Sequence, residues 1–267
     1  MKKSDALTGV GLVIGIGLLA WAMSNGSSLL LFWDMPSIAI TVGGSFCAIL
    51  ITIDNADLKR MGRILGEAFK STKSSKSEII NRFSELSKRA RREGLLSLED
   101  EISTIEDEFL KKGLQMVVDG IEPETISEIL ELEISEMENR HKIGADMFQT
   151  WGAFAPAFGM IGTLIGLIQM LQNLTDSTTI ASGMGKALIT TFYGTILANL
   201  FCIPIATNLN KKTALEVSTR EMMVEGILSI QSGVNPRIVE EKLITYLTPS
   251  EKLEFLKSNM ESSEGVV

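Results

Sequence analysis

Four stretches of this chain stay apolar over a length that crosses a bilayer, which takes about 20 residues: 6–23, 37–53, 148–171 and 183–207. Elsewhere apolar positions recur at helical spacing. Ile79, Ile80, Phe83 and Leu86 form one such face, and Gly94 suits a C-terminal stop. Ser97 with Asp100 three residues on resembles a capping box opening the next helix, which carries Ile102, Ile105, Phe109 and Leu110 and ends at Gly120. Pro123 suits a first helical position. From there the pattern Ile126, Ile129, Leu130, Ile134 and Met137 meets no breaker before the third span, and the fourth span continues past Lys212 to about Gln231. Gly233, Asn235 and Pro236 mark a turn and a new N-cap, Pro249 closes the last helix, and residues 258–267 read as a frayed end. No β alternation, phosphate-binding Gly loop or repeat appears. The predicted fold is all-α: a four-span membrane helix bundle with two long helices extending into a helical cytoplasmic domain.

This pattern divides the chain into residues 1–53 (first two spans and a short outer loop), 54–147 (a helical cytoplasmic block), 148–207 (third and fourth spans) and 208–267 (a cytoplasmic helical tail). Lys and Arg placement orients it. The connections 24–36 and 172–182 have none, the block 54–147 holds fifteen, and 208–267 holds seven. Lys59, Arg60, Arg63, Lys142, Lys211 and Lys212 sit close to span ends, where the positive-inside rule counts most. Both termini, the block and the tail are therefore predicted to be cytoplasmic. Trp21 and Trp33 fit an aromatic belt, Leu29 to Trp33 reads as an interfacial anchor, and Gly43-Gly44 as a helix contact point. Lys2-Lys3, the first apolar run and Ala20-Trp21-Ala22 also fit a signal peptide, whose removal would leave three spans with the same orientation.

The chain is 45% hydrophobic and 22% charged, a mixture explained by segregation of its charge outside the spans. Its net charge of −8 argues against nucleic acid, which wants basic surfaces, and permits a basic or mixed-charge protein partner. Cys47 and Cys202 lie inside spans and read as small buried hydrophobes. No nucleophile–base constellation or metal-ligand cluster stands out, so an enzyme is not expected, and no bound cofactor. His141, the single histidine, is assigned no proton role.

The third and fourth spans carry polar and small residues that lipid contact does not require. Pro156, Gly159, Thr163 and Gly166 share one helical face, with Gly162 beside them; Ala187, Thr191, Gly194 and Ala198 share a face of the other. Small residues let backbones approach closely, and hydroxyls in a membrane need partners. Pro156 and Pro204 cannot donate to the carbonyls four residues back, Gly152 and Leu200. Each freed oxygen suits a cation, a neighbouring side chain or a water. Thr163, Thr190 and Thr191 fall at matching depth, about 12 Å from the outer ends of their spans at about 1.5 Å per residue. That depth suits either a shared site or hydroxyls bonded back to their own helices. Neither span has an acidic residue in its interior. A desolvated cation usually needs one, so either no ion passes or a partner subunit brings the carboxylate. Asp34, at the outer mouth of the second span, is placed to gather cations or to be a solvated loop residue.

Beyond the membrane, the run Lys88 to Glu99 changes sign across Gly94, leaving Arg91 on one helix and Glu99 on the next. Such a corner is either a solvated helix end or a grip for a partner of complementary charge.

Taken together the chain resembles the MotA/PomA family of bacterial flagellar stator subunits over nearly its whole length. The resemblance rests on the motifs over 91–99 (RREGLLSLE), 116–120 (MVVDG), 139–141 (NRH), 156–163 (PAFGMIGT), 190–194 (TTFYG) and 235–237 (NPR). It implies an inner-membrane ring of five such subunits around a MotB/PomB-like partner, whose single span supplies the ion-binding Asp. Ion flow drives rotation, and the cytoplasmic face pushes the rotor protein FliG. Arg91 and Glu99 match the family's rotor-contacting charges, and Pro156 and Pro204 its prolines at the ion path. Sodium-type members resemble this chain in having Thr at 163 and 190 and an acidic residue at 34, which implies a possible sodium site near Thr163 and Thr190. Thr191 is common to both types. A proton-driven stator, an ExbB/TolQ-like energiser of outer-membrane processes and a structural membrane scaffold are the alternatives; the tip motif disfavours the energiser.

Overall fold

The computed structural model of the chain describes residues 3–26, 28–69, 75–172 and 174–264. Lys2 of the basic N-terminal pair lies outside these, as do the last three residues of the end read as frayed. In chain order, α1 is Lys3–Ser24, followed by a 3-10 turn, Leu29–Phe32. α2 is Met35–Thr52, α3 Asn55–Phe69, α4 Lys76–Glu93, α5 Glu99–Ser103 and α6 Glu108–Val118. α7 runs unbroken for 49 residues, Pro123–Leu171, and α8 over Ser177–Gln231. α9 is Pro236–Ile244 and α10 Pro249–Glu264. No strand occurs among the described residues. The all-helical reading holds. Three helices, α2, α7 and α8, are long and apolar enough to cross a membrane; the apolar stretch of α1, Thr8–Ser24, is shorter.

Three local expectations give way to the structure. The helix expected from Ser97 to Gly120 breaks in two, because Asp107 caps α6 by accepting from the Leu110 N–H at 2.9 Å. The Ser97 hydroxyl donates back to the Gly94 carbonyl at 2.7 Å instead of capping α5. Pro249 opens a helix instead of closing one. Thr248 and Glu251 form the capping box there, the Thr248 N–H and hydroxyl donating to Glu251 Oε2 at 2.9 and 2.7 Å.

The chain divides into two units, residues 1–71 with 140–212, and residues 72–139 with 213–267. In the first, α3 stays with the apolar helices. The Ala68 carbonyl accepts from Asn208 Nδ2 at 2.8 Å and Lys212 Nζ at 3.0 Å, and Ala68 packs with Ala145, Phe148, Ile205 and Ala206. α1 joins through Gly15, where a Cβ would meet Leu200 Cδ1 at 2.9 Å, and through Thr8, whose hydroxyl accepts from Asn208 at 3.3 Å. α2 contains a π-helical turn, Ala39–Gly43. Of its two adjacent glycines only Gly44 makes a close contact, seating the Phe158 ring. At the next residue of α2, Ser45 Oγ accepts from Trp151 Nε1 at 3.0 Å, while the Trp151 ring packs tilted against Phe46. Asp176 caps α8; its carboxyl is held down to about 2 by the Thr179 and Thr178 hydroxyls and the Thr178 N–H.

α7 and α8 approach until their backbones touch. A Cβ added at Gly194 would lie 2.6 Å from the Ala155 carbonyl oxygen and 3.1 Å from the Pro156 Cα. One at Gly159 would lie 3.0 Å from the Thr190 carbonyl oxygen, and one at Gly166 2.8 Å from that of Gly183. At Gly162 it would run into the Thr190 side chain. These glycines put backbone against backbone, the packing open to helices that have no water to escape from.

The second unit has a hydrophobic core. Phe83, Leu98, Leu114, Leu130, Ile227 and Leu243 are completely buried, bringing together α4, the Leu95–Leu98 turn, α6, the start of α7, the end of α8 and α9. Lys76 Nζ spans the unit, donating to Ser218 Oγ at 2.9 Å and the Tyr246 carbonyl at 3.0 Å.

Two substitutions test this packing. Gly226→Ala places a Cβ 2.6 Å from the buried Phe83 ring. Overpacking of that kind costs about 1–3 kcal/mol, so the purified full-length protein should melt at a lower temperature. Gly62→Ala, which meets nothing within 4 Å, should leave the melt unchanged or raise it. Gly194→Ala meets a carbonyl oxygen and cannot be accommodated by a side-chain rotation. It should reduce the yield of protein that elutes as a single folded peak in detergent, whereas Gly185→Ala, with open space around it, should not. Equal behaviour of either pair would contradict the packing described.

Candidate functional site

One backbone oxygen organises the polar residues of α7 and α8. The Ala187 carbonyl accepts from the Thr163 hydroxyl at 2.9 Å, the Thr190 hydroxyl at 3.0 Å and the Thr191 hydroxyl at 3.4 Å. A hydroxyl that gives its proton to a fixed carbonyl turns its lone pairs the other way, so it becomes an oriented acceptor. The three threonines then differ in where those lone pairs go. Thr163 and Thr191 share a hydrogen bond, Oγ1 to Oγ1 at 2.5 Å, so one of the two gives its single proton to the other and its partner gives its own to the Ala187 carbonyl; Thr191 is exposed. Thr190 is 1% exposed, its hydroxyl also reaching the Lys186 carbonyl at 3.1 Å and its methyl set against Gly162. The pairing across the two helices is therefore Thr163 with Thr191; the Thr190 side chain is buried against Gly162 of α7.

The exposed edge of α8 continues the polar line. Thr191, Thr195 and Asn199 are all exposed at intervals of one turn. The Thr195 hydroxyl donates to the Thr191 carbonyl at 2.9 Å, and Asn199 Nδ2 to the Thr195 carbonyl at 3.0 Å. Thr195 and Asn199 did not emerge from the reading of the sequence. Their spacing of four from Thr191 was the available signal. The Ala187 carbonyl had no signal, since backbone atoms leave no trace in residue identity.

Both prolines lie at irregular or crowded backbone. Pro156 sits inside α7 opposite Gly194, half-buried at the crossing. Pro204 follows a π-helical turn, Leu197–Cys202, where the Ile203 N–H reaches back five residues to the Ala198 carbonyl. The widened turn gives the proline ring room beside the Leu200 carbonyl that an α-helix would deny it.

Asp34 caps α2. Its carboxylate accepts from the Ser37 N–H at 3.0 Å and from the Ser37 hydroxyl. Its own N–H donates to the Tyr193 hydroxyl at 3.3 Å, and that hydroxyl donates to the Phe32 carbonyl. Asp34 is thus a half-buried structural cap beside α8, not a freely solvated loop residue.

In the second unit, Gly94 takes φ +87°, a conformation that favours glycine, and turns the chain from α4 into the Leu95–Leu98 turn. Leu98 is fully buried and holds the turn down. Arg89 bonds Glu93 at 3.2 Å and also Glu101. Arg91 and Glu99 are exposed and form no ion pair among the described residues. The corner therefore presents exposed charges of both signs, Arg91 with Arg92 on one side of Gly94 and Glu99 with Asp100 on the other, on a glycine-hinged support.

The sequence signature of the MotA/TolQ/ExbB proton channel family matches residues 101–222. Motility protein A of Borreliella burgdorferi is 46% identical over 96% of this chain and 97% of its own length. Motility protein A of Treponema pallidum is 38% identical over 94% and 96%. Among solved structures, the flagellar MotAB stator complex from Bacillus subtilis superposes with a TM-score of 0.88 at 33% identity, covering 96% of this chain and 99% of that one. Relatives that match end to end, with the same helices in the same order, identify this chain as a member of the MotA/PomA family of flagellar stator subunits, which are not enzymes.

Proposed function

We propose that this chain assembles with a MotB/PomB-like one-span partner into a cation channel of the bacterial inner membrane and turns ion flow into torque on the rotor. One observation carries the reading. Thr163, Thr191, Thr195 and Asn199 form a polar line along the uncovered edge of helices apolar enough to span a membrane. Lipid cannot satisfy such a line, and the chain has no carboxylate within it to make a cation welcome. A partner helix bearing an Asp supplies both cover and charge, and the MotAB complex that this chain resembles has a MotB subunit. In this reading five copies surround the partner, α1 is the fourth span, and both termini are cytoplasmic, in keeping with the Lys and Arg placement. Pro156 and Pro204 flank the path, and Gly159, Gly162, Gly166 and Gly194 hold its two walls together.

Sodium is the favoured ion. Thr163 and Thr191 offer oriented oxygens that replace part of its hydration shell, Thr190 shapes the wall behind them, and Asp34 lies at the mouth. A proton-driven stator is the second reading, favoured by the engagement of every one of these threonine hydroxyls in a hydrogen bond already. Two measurements decide. Speed of tethered cells should fall as external sodium is replaced by potassium at fixed pH, and Thr163→Ala should raise the sodium needed for half-maximal speed by about tenfold, the effect of losing one hydrogen-bonding oxygen from a dry site. Indifference to sodium, with loss of speed when the pH gradient collapses, would establish the proton reading instead.

Arg91 and Glu99 are assigned to the rotor protein FliG. Reversing either charge should abolish or weaken swimming while the protein still reaches the membrane in normal amount, and reversal of the opposing charge on FliG should partly restore it. Normal swimming of both single reversals would remove the assignment.

A further inference from the structure

The second span makes a contact that the ion path as proposed does not use. Thr41 is completely buried in α2, and its hydroxyl donates to the Thr190 carbonyl at 3.3 Å. Further along α8 threonines bond back to their own helix: Thr195 to the Thr191 carbonyl, Thr207 to that of Ile203. Thr41 lies in the π-helical turn Ala39–Gly43, where the bonding pattern of the helix is widened, and its hydroxyl reaches across to α8. The carbonyl it reaches belongs to the peptide plane joining Thr190 to Thr191. Gly159 of α7 lies against the same plane, a Cβ there falling 3.0 Å from the oxygen and 3.2 Å from the Thr191 Cα. Two residues on, Tyr193 ties α8 to the segment leading into α2 through Phe32 and Asp34.

We propose that Thr41 is a positioning residue of the cation site: its hydrogen bond and Gly159 together hold the Thr190–Thr191 peptide plane, and so fix the direction in which the Thr191 hydroxyl meets Thr163. The inference rests on the cation-path reading given above. Rotation of that plane carries the Thr191 Cα, and with it the hydroxyl, away from the 2.5 Å meeting with Thr163. A helix outside the threonine pair thereby sets how tightly the pair holds its ion.

Thr41→Val keeps the shape and removes the donor; Thr41→Ser restores it. Both are compared with the unaltered chain in motile cells carrying the full stator complex, with membrane abundance measured on the same cells. The unaltered motor is titrated first with sodium and with external pH. Rotation that ignores sodium retires the sodium reading alone, and the Thr41 variants are then scored against pH. Thr41→Val should raise the concentration of the driving cation needed for half-maximal speed by about fivefold, the factor equivalent to about 1 kcal/mol for one net hydrogen bond. Thr41→Ser should return it to within about twofold. A merely structural Thr41 predicts lower abundance or lower top speed at an unchanged half-saturating concentration. That result, or a shift that Ser does not reverse, would overturn the proposal.

Discussion

The contact on which the membrane-crossing unit depends is the meeting of two backbones. At Gly194 the helix α8 comes so near α7 that a single methyl group would strike the Ala155 carbonyl oxygen. The polar contacts between the two helices follow from that closeness. Only with the helix axes this near can the Thr163 hydroxyl of one helix reach the Ala187 carbonyl of the other, and only then do the Thr163 and Thr191 oxygens come into register. A pair of helices spaced by leucines would leave each hydroxyl to bond back to its own turn. Glycine here is a spacer of minimum thickness, and its conformational freedom is not in use.

The hydroxyls illustrate how an apolar surrounding changes the meaning of a hydrogen bond. In water a threonine exchanges partners at little cost, whereas in a membrane its proton stays on the best oxygen within reach. Three hydroxyls gathered within reach of one carbonyl make the Ala187 oxygen a small fixed hub, one of their protons serving the Thr163–Thr191 bond. The reverse sides of those hydroxyls become acceptors whose direction is built in. Thr190 spends its acceptor side inside the fold, while Thr163 and Thr191 keep theirs at the edge. The difference between neighbouring residues 190 and 191 is thus one of facing, set by the helix and not by chemistry.

Helix-level organisation was legible in the sequence because each device has a residue signature. The apolar runs, Pro123 at its helix start, the breaker-free run into the third span, Gly94 at its corner and the Asn235-Pro236 start all correspond to features found in the fold. Where two signatures compete, residue identity does not decide alone: Pro249 stops one helix as readily as it starts another, and the Thr248–Glu251 box decides for starting. The cap formed by Asp107 was equally visible and overlooked beside a continuous apolar pattern. In the candidate site, residue types and depth singled out the three threonines whose hydroxyls gather at the Ala187 carbonyl. The pairing of Thr163 with Thr191 in place of Thr190 depends on the rotation of α8 about its axis, which residue spacing does not report. Arg89 shows the same limit in the other unit: sequence lists four basic residues at the corner, and only the fold reveals that Arg89 is occupied by Glu93 and Glu101.

The π-helical turn at Leu197–Cys202 has a consequence for how α8 is used along its length. A wider turn inserts extra residue into the winding and advances the angular phase of everything after it. Steps of four residues drift round an ordinary α-helix, and the widened turn takes up that drift, so the exposed line of Thr191, Thr195 and Asn199 runs on through Ile203 to Thr207. A spacing of four sustained over this stretch, in place of the roughly 3.6 of a regular α-helix, is the trace that the widened turn leaves in the sequence. A substitution that restored a regular α-helical turn there would swing Ile203 and Thr207 off the side that Thr191 and Thr195 share.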